Sequence, residues 1–123
     1  MNESELTEKI IGAAIEVHKY WGPGLNERLY EQSFCRELDF LGLAWKNQLS
    51  LPLEYKGIKV GDELILDVIV EDKVVVENKH VNTLLPVHES QLLTYMKLTN
   101  CKVGLLMNYN VALMKDGIKR MVL

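Results

Sequence analysis

The chain has little of what marks several large protein classes. It has two cysteines, Cys35 and Cys101, far apart and without CxxC or Cys/His ligand spacing. That argues against a disulfide framework or a structural zinc site, and both thiols are expected to be small buried apolar groups. Apolar runs are short: Val103 to Met107 is about five residues with Gly104 inside it, against the roughly 20 that a bilayer span requires. The N-terminus, Met1-Asn2-Glu3-Ser4-Glu5, is acidic and lacks the basic-then-apolar order of a signal peptide. Repeats, low-complexity stretches and linkers are missing too. A soluble, cytoplasmic, single domain over residues 1–123, without a membrane partner, is the expectation.

An excess of positive charge is also lacking. The net charge is −3, which speaks against a strongly basic nucleic-acid binder, but the total hides an asymmetry. Residues 1–40 carry eight acidic and four basic side chains, whereas residues 81–123 carry two acidic and five basic ones. A basic C-terminal third can approach phosphates while the acidic remainder faces away or meets cations. At 48% hydrophobic and 25% charged residues the composition is that of an ordinary globular domain.

Periodicity supplies the elements. Leu6, Ile10, Ala13, Val17 and Trp21 recur at helical spacing and predict a helix over Ser4–Tyr20, broken by Gly22-Pro23-Gly24. A second helix is expected over Asn26–Leu41, with Tyr30, Phe34, Leu38 and Leu41 as its apolar stripe. Glu27, three residues before Tyr30 and seven before Phe34, falls on that stripe, and a core-facing carboxylate requires a partner. From Ala44 to Lys79 the period is two: Leu49-Leu51-Leu53, Ile58-Val60, Leu64-Leu66-Val68-Val70 and Val74-Val75-Val76 read as an antiparallel meander. A third helix starts near Pro86 and runs to about Thr99. Lys102–Asn108 is a strand buried on both faces. Asp116-Gly117 marks a hairpin between Val111–Met114 and Ile118–Val122. The order α-α-β-β-β-α-β plus a C-terminal hairpin gives a mixed α/β (α+β) fold.

Chemistry concentrates in Asp67–Lys79. Val75, Glu77 and Lys79 share one face of their strand. A two-residue turn at Glu71-Asp72 puts Asp67 on the opposite face from Glu77. A three-residue connection, or a single bulge, sets the two carboxylates directly across from each other, with β-carbons roughly 5 Å apart. Carboxylates that close repel unless a cation, a shared proton or a lysine lies between them. Mg²⁺ answers that need through one or two carboxylates, waters and substrate phosphate oxygens.

Asp67, nine intervening residues, then Glu77-Asn78-Lys79 resembles the D…E-x-K signature of the PD-(D/E)XK nuclease superfamily. Gly24-Leu25-Asn26-Glu27-Arg28-Leu29-Tyr30 is similar to the motif of the small GxxExxY proteins within it. Pro86 to Tyr95 resembles that family's following helix, including its Q-x-x-x-Y element. The resemblance runs from about Leu6 to Val122. It implies a restriction-endonuclease-like core, a central mixed β-sheet flanked by helices, and hydrolysis of phosphodiester bonds in DNA or RNA. It further implies Glu27, Asp67 and Glu77 as ligands of Mg²⁺ (or Mn²⁺), assisted by the Asn78 carbonyl. Lys79 would be the catalytic lysine and Gln91 a contribution from the next helix, supported by Tyr95. Asn78 departs from the apolar residue often found at x. The rival reading is a non-catalytic module that keeps the fold to bind nucleic acid or a protein.

The resemblance also brings His18 and His88 near the site, although a structural histidine is the simpler reading of His18. His80 is expected to face solvent. Trp21, Trp45 and Tyr55 are not spaced as a stacking platform. Lys97, Lys102, Lys115, Lys119 and Arg120 form the basic surface, and the apolar C-terminal hairpin is a candidate homodimer interface.

Overall fold

The computed structural model describes residues 1–123. Helix α1 spans Glu3–Trp21. Asn2 opens it by accepting the Glu5 amide, and Gly22, at φ +69°, closes it with its N–H on the His18 carbonyl. Helix α2 spans Glu27–Phe40 and is capped by Asn26, whose side chain accepts from the Leu29 amide. The buried stripes Leu6-Ile10-Ala13-Val17 and Tyr30-Phe34-Leu38 face the same core.

The strands are β1 (Trp45–Leu51), β2 (Glu54–Tyr55), β3 (Ile58–Lys59), β4 (Leu64–Val70), β5 (Val74–Lys79), β6 (Val103–Asn108) and β7 (Ile118–Val122), with helix α3 at Pro86–Thr99. Five strands form one sheet in the order β1-β4-β5-β6-β7, while β2 and β3 make a separate hairpin. Only β5 and β6 run parallel, because α3 carries the chain back between them; the other pairs are antiparallel. Helices α1 and α2 cover one face against Val68, Val70, Val76, Leu105 and Met107. Helix α3 covers the other against Ile69, Val75 and Leu106 through Leu92 and Met96. Gly104 permits that approach, since a β-carbon there would meet Met96 Sδ at 2.6 Å. No helix is long and apolar enough to cross a membrane.

Two expectations are corrected. Val111–Met114 is not a strand: Met114–Gly117 winds into a 3-10 turn, and β7 pairs with β6, so the C-terminal hairpin has β6 as its first arm. Gly117 packs so close to the Asn108 carbonyl that a β-carbon there would clash with it, which suits the tight 3-10 turn. The row Leu64-Leu66-Val68-Val70 also does not keep one face. Leu66 packs in the α3 core, and Val68 in the α1/α2 core. The strand therefore rotates at Asp67.

Candidate active site

The β4–β5 connection decides the geometry. Glu71 and Asp72 both have positive φ, +54° and +53°, and the Lys73 amide bonds the Val70 carbonyl at 3.0 Å. This is the tight turn that matches strand twist. Lys73 is then an extra residue, because the register pairs Val70 with Val74, Ile69 with Val75 and Val68 with Val76. One step further along that register, Asp67 lies opposite Glu77.

There the backbone ladder stops and the side chains replace it. The Asp67 amide donates to Glu77 Oε1 at 3.2 Å, and the Asn78 amide donates to Asp67 Oδ2 at 3.0 Å. Pairing with β1 is interrupted at the same place. Asn47 pairs with Val68 and Leu49 with Leu66, but Gln48 and Asp67 do not pair. Gln48 sits at φ +48°, in the left-handed region that non-glycine residues seldom occupy. Asp67 is thus outside both registers, and its carboxylate takes the Asn78 amide instead.

Glu77 is 3% exposed. Burial first, and the adjoining Asp67 carboxyl second, push its pKa up to about 9, although Lys79 pulls the other way. Around neutral pH the buried Glu77 carboxyl therefore keeps its proton when no cation is bound. Each of the two carboxyls commits one oxygen to a backbone amide, so the two together still present free oxygens. An all-oxygen donor set of this kind fits a hard divalent cation, which would replace the proton.

Lys79 is half-buried at the end of β5, and its carbonyl accepts the Tyr109 amide at 3.0 Å. The segment beyond it is held by Asn108, whose side chain accepts from the Val81 amide at 3.1 Å and donates to the Val81 carbonyl at 2.8 Å. On α3, Tyr95 is buried and Gln91 exposed. The Tyr95 hydroxyl is pushed up by burial, then by the charges of Glu77 and Asp67, and Gln91 lies beside it. Tyr95 and Gln91 therefore border the carboxyl pair.

The other candidates are placed differently. Glu27 is exposed, not on the buried stripe, because α2 begins with it; its carboxylate accepts the His80 amide at 3.0 Å. Glu27 lines the same cavity as Asp67, although no three His, Cys, Asp or Glu side chains converge as a metal-binding group. His80 does not simply face solvent: it is half-buried and its ring meets the Pro23 carbonyl. His18 bonds the Val111 carbonyl at 2.9 Å and lines a hollow with Gly22, Pro23 and Met114, away from Asp67. His88 closes the first turn of α3, accepting the Leu85 amide on Nδ1 at 2.9 Å.

Tyr30 explains the tyrosine of the glycine-to-tyrosine motif. Its hydroxyl accepts the Leu25 amide at 3.0 Å and donates to the Gly22 carbonyl. Its ring stacks on Tyr109 at 4.2 Å and on His80 at 6.0 Å. Tyr30 thereby ties the glycine loop and the start of α2 to the end of β5.

Glu31 was not among the expected site residues. It is buried, receives Asn47 Nδ2 at 3.1 Å and Gln48 Nε2 at 2.8 Å, and has its pKa raised by burial and by Asp67. Its spacing of three, four and seven to Phe34, Cys35 and Leu38 was the available signal. Asn47 and Gln48 carried none, since they face Glu31 only through the sheet break. These residues, with Glu27, Arg28, Gln32, Asp67 and Asn78, line a cavity of about 460 Å³ on the α2 side of Asp67. A larger hollow, about 620 Å³, lies between α1 and α2 around Tyr20, Trp21 and Arg36, and includes neither Asp67 nor Glu77.

A family model described as the PD-(D/E)XK nuclease superfamily matches residues 4–121. No curated protein and no solved structure matches the chain.

Proposed function

The chain belongs to the PD-(D/E)XK nuclease superfamily, and from that premise we propose that it is a metal-dependent nuclease acting on nucleic acid as one domain over residues 1–123. The observation that carries this reading is the opposition of Asp67 and Glu77 where the β4–β5 ladder ends and the β1–β4 ladder is interrupted, with Lys79 two residues further along the same face. Asp67 and Glu77, with the Asn78 carbonyl, are the proposed holders of Mg²⁺ or Mn²⁺. When bound, the cation supplies neutralisation of phosphate charge and acidification of water.

The chain's own groups do the rest. Lys79 orients the attacking water and takes up or shares its proton. Gln91, exposed one turn before Tyr95 on α3, contacts the substrate backbone, and Tyr95 positions Gln91. Glu27 acts through His80: by holding that amide it keeps the chain just after Lys79 in place. It is a positioning residue in this scheme. The exposed Lys97, Lys102 and Lys115 suit the phosphate backbone at a distance. The homodimer proposed from the sequence would use β7, an edge strand with Val122 and Leu123 exposed. The free, buried Cys35 and Cys101 suit a cytoplasmic setting.

The test is calorimetric titration of Mg²⁺ and Mn²⁺ into wild type and into Asp67→Asn/Glu77→Gln, with folding followed by circular dichroism. Saturable binding lost in the folded double variant is the expected result. A parallel cleavage screen should show activity in wild type and none in Lys79→Ala. Metal binding without any cleavage, across DNA and RNA and both strand states, would favour the non-catalytic binding module instead.

A further inference from the structure

One side chain that lines the cavity beside Asp67 carries an anomalous atom. Asn78 is 1% exposed, and its Oδ1 accepts the Tyr109 hydroxyl at 3.2 Å. Its Nδ2 has no hydrogen-bond partner. A buried amide donor left unpaired destabilises a fold. The orientation follows from the surroundings. With the amide turned over, Oδ1 would share the wall with the Asp67 and Glu31 carboxyls, so the donor belongs on that side. A second cost lies in the same wall: the left-handed backbone of Gln48, of the kind that gathers at functional sites.

We infer that this cavity is a subsite for a sugar hydroxyl of the nucleotide next to the scissile phosphate, with Asn78 Nδ2 donating to the hydroxyl oxygen and a carboxyl of the wall accepting its proton. The inference rests on the nuclease reading above. A hydroxyl fits because it donates and accepts at once. A phosphate fits poorly, since Glu27, Glu31 and Asp67 face a single cation, Arg28. A base fits poorly too, because no hydrophobic side chain lines the cavity to stack on it. Two hydroxyls meet the description, the 2′-hydroxyl of RNA and the 3′-hydroxyl at a strand end.

The experiment compares wild type with Asn78→Leu and Asn78→Asp on three short single strands: RNA with a blocked 3′ end, DNA with a free 3′ end, and DNA with a blocked 3′ end. Binding is read by fluorescence anisotropy in EDTA, steady-state kinetics in Mg²⁺, and unfolding by circular dichroism. Asn78→Leu, checked to be folded, should bind the hydroxyl-bearing strand about tenfold more weakly. Weakening on the blocked RNA alone assigns the 2′-hydroxyl; weakening on the free-ended DNA alone assigns the 3′-hydroxyl. Equal weakening on all three points to a phosphate oxygen and overturns the hydroxyl. Unchanged binding in a folded Asn78→Leu, or no binding by wild type, overturns the subsite. Binding with the expected Asn78 dependence but no cleavage overturns the nuclease reading alone; cleavage indifferent to Asn78 does the reverse. Should Asn78→Leu not fold, Asn78→Asp keeps the acceptor for Tyr109, removes the donor, and carries the same comparison.

Discussion

Replacing Glu77 by Gln should stabilise the metal-free protein, increasingly so as pH rises. The folded chain keeps Glu77 protonated far above the ordinary carboxylate value of 4.5, because the site is buried and Asp67 adjoins it. The unfolded chain ionises Glu77 normally. Between pH 4.5 and about 9 the folded state therefore binds the extra proton, and wild-type stability falls as pH rises through that window. The amide introduced by Glu77→Gln has no proton to release, can still accept the Asp67 N–H through its carbonyl, and can donate to the Asp67 carboxylate through its NH₂. At about 1.4 kcal/mol per pH unit, the difference between variant and wild type grows from near zero at pH 4 to on the order of 3 kcal/mol at pH 7. For a chain of this size that is roughly 10 °C in unfolding midpoint. Urea unfolding in EDTA, with both proteins measured at each pH, isolates the effect because the other titrations cancel in the difference. Mg²⁺ should then reverse the order, stabilising wild type more strongly at higher pH and the variant little. A pH-independent difference, or a variant less stable than wild type at pH 7 in EDTA, would refute the retained Glu77 proton.

Three further outcomes follow from the same geometry. Glu27→Gln keeps a carbonyl oxygen for the His80 amide, so calorimetric Mg²⁺ affinity should be unchanged within about twofold; a tenfold loss would restore Glu27 as a ligand. Tyr30→Phe leaves the Leu25 amide and the Gly22 carbonyl without their shared partner and should cost about 1–3 kcal/mol in urea unfolding. Gly117→Ala drives a methyl into the Asn108 carbonyl. It should destabilise by at least about 1–3 kcal/mol and, by shifting the Asn108 clamp on Val81, lower cleavage more than an equally destabilising change in α1; equal activity losses in the two would sever that link.

The helices, the strand segments other than the expected Val111–Met114 and the shared face of Glu77 and Lys79 were determined by the sequence itself, because each follows from local spacing. A 3.6-residue stripe makes α1 and α2, period two makes the strands, and Pro86 opens α3. The opposition of Asp67 and Glu77 was not determined locally. The residues between them allowed both registers, and only the bulge at Lys73, stabilised by packing Val70 and Val74 into the α1/α2 core, selects one. The rotation of β4 at Asp67 is likewise invisible to a period-two pattern, since Leu66 and Val68 alternate alike in sequence yet fill opposite cores. The helix register shows why Glu27 and Glu31 exchange expectations. Both lie near the apolar stripe, but the first turn of α2 opens to solvent, and the sheet break brings Asn47 and Gln48 over Glu31 alone. Spacing along a chain determines which face a side chain takes; which faces meet, and where a ladder stops, depends on contacts between segments distant in sequence.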